Sequence, residues 1–430
     1  MHYSAEADTS TLRDVILQRQ MLTIFLASLF ILVQVLVSFS LVPLYIVERG
    51  GGNFAVGLQT TLFTVSSVLL RFVFGPVADQ RGRRFALALG AFVFATGHIA
   101  IWLSPNLWVM GLARIYQAIG MASYLSAASS FVADLAPQRH RGASIGVYRM
   151  VLTAAMMVGP LVGNELIRSY GFDAFFITMS TMSAAAFFLV LTLRNPPVVD
   201  GEETGDTTSG NSADRHSTSA SEERIRVKDA VRLLAEPSLR APYLGILIIS
   251  IAGGIILTYL TLYAEGFVAR PALYFTVFAL VGAVGALALG ALSDRFGRKA
   301  VVFPATLILA AGTAVLFFLA EQPLLWLYLS AAMAGFGYNG GLSLFVSWVV
   351  DGAEARLRAT ALALQESGID TGFGVGIFFF GLLSETWSYA ALFLGLGVFV
   401  VLGSGLVFAA APSEKAPVGS SEKGVTKSNE

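Results

Sequence analysis

GPVADQRGRR (Gly75–Arg84) is a polar decapeptide set between two apolar stretches, each long enough to span a bilayer. A near copy, GALSDRFGRK (Gly290–Lys299), returns 215 positions later in the same kind of setting. Charge is scarce elsewhere. Of the 430 residues, 55% are hydrophobic and 13% charged, against about 25% charged in an average soluble domain. A soluble fold of this size could not bury so much apolar surface, so the composition specifies an integral membrane protein. The 43 glycines suit helices that approach closely in lipid. A formal net charge of zero provides no field for a nucleic-acid partner. The absence of cysteine excludes disulfides, thiolate metal sites and cysteine nucleophiles.

Working outward from the decapeptides, apolar runs of about 20 residues mark twelve spans. Six lie at 21–46, 54–78, 85–103, 107–133, 143–167 and 172–193, and six at 241–264, 272–293, 300–320, 323–350, 359–383 and 387–411. The expected fold is therefore an all-α membrane protein with twelve transmembrane helices in two pseudo-symmetric six-helix bundles, 1–197 and 241–412. Between them, 198–240 reads as a cytoplasmic linker. Its first part, 198–222, is too polar to bury a core, and 225–234 has the pattern of a short amphipathic surface helix. Residues 413–430 read as a disordered cytoplasmic tail. Most of the 28 basic residues fall on the side that carries the termini, the linker and both decapeptides. The opposite loops carry Arg49, Arg168 and Arg270, so both termini are expected to be cytoplasmic. Trp102, Trp108, Trp326 and Trp387 cluster at the other helix ends, as an aromatic belt requires.

The repeat extends beyond ten residues. DLAPQRHRGASIG (Asp134–Gly146) follows span four and DGAEARLRATALA (Asp351–Ala363) follows span ten, an offset of 217. Two loops matching in the same order and spacing indicate a parallel duplication about an axis along the membrane normal. GPVADQRGRR resembles the signature loop of the major facilitator superfamily, and GALSDRFGRK resembles its weaker second copy. RIYQAIG (Arg114–Gly120) is similar to the superfamily's fourth-helix Arg-x-x-Gln motif. In span five, Gly146, Gly159, Pro160 and Gly163 resemble the Gly-Pro motif of its proton-coupled antiporters, with Ala155 where a glycine is usual. The resemblance implies a gate on the terminal side. Gly75 allows close helix approach there, Asp79 faces a helix N-terminus, and Arg83 pairs with Asp134. Gly290, Asp294, Arg298 and Asp351 form the second set. These pairs are expected to close the inner side while the outer side is open.

Ionisable groups inside spans are costly, about 2.5–3.5 kcal/mol each at mid-bilayer on insertion scales. They are Arg71, His98, Arg114, Arg149, Glu366 and Asp370. Glu366 and Asp370 lie four apart and share a helix face. A rise of about 1.5 Å per residue puts Glu366 roughly 12 Å from the inner surface and Asp370 roughly 18 Å. Glu366 is expected to pair with Arg71 or Arg149. Asp370 is then the proton-coupling group, with Arg114 as its positive partner. By position in the resembled family, Tyr116, Gln117, Tyr338 and Asn339 line the substrate cavity, as does Arg149. His98 reads as a satisfied histidine.

No Walker loop, nucleophile–base set or metal-ligand spacing occurs, so neither an enzyme nor a cofactor is expected. The expected function is secondary transport by alternating access, with proton-coupled export of a small molecule from a monomer in the cell (plasma) membrane. The alternatives are an importer or facilitator of a sugar or organic anion, and a transport-derived membrane sensor. The cytoplasmic segments are too short for a sensor's output domain.

Overall fold

The computed structural model describes residues 11–195, 232–354 and 357–410, and these contain helices and no strands. Residues 198–231 of the linker expected at 198–240, most of the amphipathic helix, and the tail expected at 413–430 lie outside the described residues. Arg232–Ala235 forms a helical turn.

In chain order the helices are α1 (Leu12–Ile16), α2 (Arg19–Ser40), α3 (Val42–Glu48), α4 (Asn53–Arg81), α5 (Arg83–Trp102), α6 (Leu107–Leu135) and α7 (Arg141–Leu191). The second half holds α8 (Pro237–Ala264), α9 (Leu273–Phe296), α10 (Arg298–Ala314), α11 (Pro323–Gly352), α12 (Arg358–Leu383) and α13 (Tyr389–Ala410). The run 21–46 is divided between α2 and α3 because Pro43, in the first turn of α3, has no amide proton with which to continue the ladder. The 51-residue α7 turns at Gly171, whose φ of 79° lies in the left-handed region, so its two limbs correspond to spans five and six.

Nine described helical stretches are long and apolar enough to cross a membrane, one of them containing both limbs of α7. The chain is a multi-pass membrane protein. The nine do not include α11 and α12. These two carry polar residues at their centres, Tyr338 and Asn339 in one and Glu366 and Asp370 in the other.

Within the first half α2 packs on α7, and α5 and α4 pack on α6. Within the second, α9 and α10 pack on α11, and α8 packs on α12. The halves meet where α4 packs on α12, α7 on α9, and α2 with α3 on α8. Hydrogen bonds between halves gather at the end opposite the termini, here called the distal end. Phe54 N donates to Glu385, Asn53 donates to Ser384 O and Tyr389 donates to Asn53. On the other flank of that end Arg270 pairs with Glu165 at 3.4 Å, and Arg168 bonds Ala269 O. Nearby burial pushes the Glu265 carboxyl up, an effect that Arg168 opposes. Among the described residues no substantial packing joins α6 to α11.

Candidate functional site

Each decapeptide ends one helix and begins the next, and the hinge is a glycine. Gly82 (φ 87°) and Gly297 (φ 85°) stand 215 positions apart, between α4 and α5 and between α9 and α10. The reversal delivers an arginine to the first position of the following helix in both halves. Arg83 Nε lies 2.5 Å from Asp134 Oδ2 in the last turn of α6. Arg298 lies 3.1 Å from Asp351 Oδ2 in the last turn of α11 and 2.9 Å from Asp294 Oδ1, and it also bonds Ser293 Oγ. Asp79 and Gly75 lie in α4, and their side-chain positions fall outside the description.

The pairings expected from the sequence, Arg83 with Asp134 and Arg298 with Asp294 and Asp351, are all present. Arg83–Asp134 and Arg298–Asp351 each lie within one half, because the helices they join belong to the same bundle. They therefore cannot clamp one half to the other. They also coexist with the distal cross-half bonds, so they do not require an open distal end. Gly290, expected to ease helix approach, faces open space.

Besides Arg270–Glu165 at the distal end, two ion pairs among the described residues join the halves. Arg71 Nη1 on α4 lies 2.6 Å from Asp370 Oδ2 on α12, with the side chains 20% and 10% exposed. Arg149 Nη2 on α7 lies 3.8 Å from Glu366 Oε1 on α12, with both side chains more than half exposed. Arg71 thus takes Asp370, and Glu366 is left to Arg149. Helix α12 carries both acids and reaches two different helices of the other half with them. A cavity of about 290 Å³ between α4 and α12 reaches Asp370, with Val65, Leu69, Val375 and Phe379 on its apolar walls.

Arg114 is not the partner of Asp370. It is fully buried, donates from Nη1 to Gln117 Oε1 at 2.8 Å and from Nη2 to Ser38 O at 3.2 Å, and stacks 4.5 Å over the Phe63 ring. The network continues to His98. Its Nδ1 lies 2.8 Å from Phe94 O and must donate, which leaves Nε2 to accept from Gln117 Nε2 at 3.3 Å. Ser38 Oγ also donates to Gln117 Oε1. His98 is the neutral end of a chain that fixes the amide of Gln117, and through it Arg114. Residue spacing carries no signal for that link, since it joins α5 to α6 through side-chain rotation.

Of the residues expected in a substrate cavity, Tyr116, Gln117, Tyr338 and Asn339 contact neighbouring side chains or helices. Tyr116 OH meets Thr96 Oγ1 at 2.8 Å, and Gln117 is fully buried in the Arg114 network. Tyr338 is buried against Phe278, and Asn339 bonds Gly335 O and fills the space beside Gly282. Of those named, Arg149 remains exposed. In the Gly-Pro segment, a Cβ at Gly163 would meet Leu41 at 2.5 Å and Phe175 at 3.3 Å, and one at Gly159 would meet Val33 at 3.2 Å, so Gly163 leaves no room for a side chain and Gly159 little. Pro160 sits inside α7, while Gly146 faces open space and serves no packing.

The family model described as Major Facilitator Superfamily matches residues 23–273 and 268–429. Among characterised relatives, the multidrug resistance protein MdtG of Enterobacter lignolyticus is 27% identical over 290 residues, 63% of this chain and 64% of that protein. The riboflavin transporter RibZ of Clostridioides difficile is 26% identical over 153 residues, 34% of each chain. The chain thus spans at most about two thirds of the length of these relatives. Among solved structures, the nucleoside transporter NupG superposes with a TM-score of 0.74 at 14% identity, covering 91% of this chain and all of that one. A bacterial homologue of the lysosomal transporter Spinster, inward-facing and unoccupied, gives 0.68 at 20% identity, covering 94% and 98%. These likenesses establish the fold.

Proposed function

The chain belongs to the Major Facilitator Superfamily, and from that premise we propose that it is a proton-driven exporter of a small organic molecule. In this reading twelve helices cross the membrane, both termini are cytoplasmic, and the halves rock about the contacts of α4 with α12 and α7 with α9. The observation that carries the proposal is the Arg71–Asp370 pair, which joins the halves inside the spans. In a medium of low polarity such a contact holds only while both groups are charged. Protonating Asp370 leaves Arg71 without its counter-ion, and removing one partner of a buried pair typically costs about 3–5 kcal/mol. Arg71 cannot surrender its own proton at workable pH. One carboxylate therefore both carries a proton and helps hold the halves together.

The direction of coupling follows. In the distal-closed arrangement Asp370 has released its proton to the cytoplasmic side and pairs with Arg71, and substrate enters from that side. Once the distal side opens, a proton from outside reloads Asp370, frees Arg71 and lets the halves return. Glu366 and Arg149, longer and more exposed, contribute a second contact of structural value. The relatives named multidrug resistance proteins support efflux of drug-like molecules. The test is substrate-dependent proton release from purified, detergent-solubilised protein across a panel of drug-like compounds that includes riboflavin. At least one compound is expected to release protons in proportion to its binding. Compounds that bind without any proton release at several pH values would contradict the proposal.

A further inference from the structure

The distal end of α4 is finished by the other half of the molecule. The N-cap of α4 is Gly52, which has no side chain with which to satisfy the free amides of the first turn. The missing acceptor comes from Glu385, beyond the end of α12. Its Oε1 accepts from Phe54 N at 2.8 Å, and a Cβ at Gly52 would lie 3.1 Å from that same oxygen. The carboxylate thus occupies the place that the side chain of a serine or aspartate N-cap would fill. Its charge also faces the positive end of a 29-residue helix.

Neighbouring contacts fix the arrangement. Asn53 receives the Tyr389 hydroxyl on its Oδ1 at 2.7 Å and donates to Ser384 O at 3.4 Å. Below them, a Cβ on Gly57 would lie 3.2 Å from the Gly381 Cα, so the two backbones are nearly in contact. Ser384, Glu385 and Tyr389 belong to one half, and Gly52, Asn53 and Phe54 to the other.

We propose that Glu385 is a trans N-cap that latches the distal end, a positioning residue for the transport cycle. Every bond it makes to α4 crosses the dividing line, so opening the distal side must break the cap and leave the first turn of α4 to water. The latch stabilises the distal-closed state alone and thereby sets the balance between the two states. The inference rests on the alternating-access reading.

The chain has no cysteine, so labels can be placed at will. Leu103 and Leu324 are exposed at the distal end, one in each half. Spin labels at Leu103→Cys and Leu324→Cys report the distal separation in nanodiscs by electron–electron double resonance. Against this background Glu385→Ala is expected to raise the ratio of long-distance to short-distance population about fivefold, the usual worth of an N-cap. Glu385→Gln, which keeps an acceptor oxygen without the charge, is expected to fall between it and the parent. The Gln variant carries the test if the Ala variant does not accumulate. Gly57→Leu, which wedges α4 from α12, is the control for motion. Parental distances in the Glu385 variants, with a shift in Gly57→Leu, would overturn the latch and leave alternating access standing. Parental distances in all three would overturn both.

Discussion

Arg114 shows how far residue type alone leads. An arginine inside a span must be stabilised, and a neighbouring acid is the obvious partner. The structure supplies instead two oxygens, one amide and one carbonyl, and the face of Phe63. A planar guanidinium makes all three contacts at once, which a lysine ammonium cannot. Arg114→Lys is therefore expected to lose about 1.5–3 kcal/mol of stability, the worth of a hydrogen bond to a charged group. Thermal unfolding in detergent measures this, and the protein that remains folded should still transport uphill. Unchanged stability with lost coupling would return Arg114 to the proton path. The sequence identified the acids and arginines that matter, since charge within a span is conspicuous. It offered Arg149 as one of two partners for Glu366, which the structure shows, but did not pair Arg71 with Asp370. The four-residue spacing sets Glu366 and Asp370 on one face of α12 but does not say how α12 is rotated against α4 and α7.

At the scale of elements, the decapeptide's glycines separate into two kinds. Gly82 and Gly297 turn the chain at φ near 86°, with ψ of 147° and 154°, a region almost closed to other residues. Gly290 sits within a helix and faces open space. Gly82→Ala and Gly297→Ala are each expected to destabilise by about 1–3 kcal/mol. Gly290→Ala should be neutral or stabilising by up to about 1 kcal/mol. Melting temperatures of the three variants decide this, and a Gly290→Ala that melts as low as Gly82→Ala would contradict it. The helical character of the apolar runs was legible because each is long enough to match the bilayer. The break between α2 and α3 follows from Pro43, and the reversal in α7 from Gly171. The partners of each helix face were less legible. Tyr116, Tyr338 and Asn339 have side chains suited equally to a wet cavity or to a neighbouring helix, and only their rotation decides.

For the whole molecule, the duplicated loops at offsets of 215 and 217 pointed to a two-bundle design, and the family match over nearly the full chain establishes the superfamily. The repeat could not disclose what joins the bundles, because residues at an interface between unlike halves need not repeat. Arg71–Asp370 and the Glu385 cap are both asymmetric in this sense, and both use α4 and α12. In the proposed cycle these two helices carry the state of the molecule, in the interior through a charge pair and at the distal end through a helix cap. The central claim, that the proton on Asp370 is what drives transport, is tested most directly by Asp370→Asn in proteoliposomes under an imposed pH gradient, once the compound panel has identified a substrate. The account predicts that uphill accumulation is abolished while downhill exchange of substrate persists. Uphill accumulation at the parental rate would contradict it.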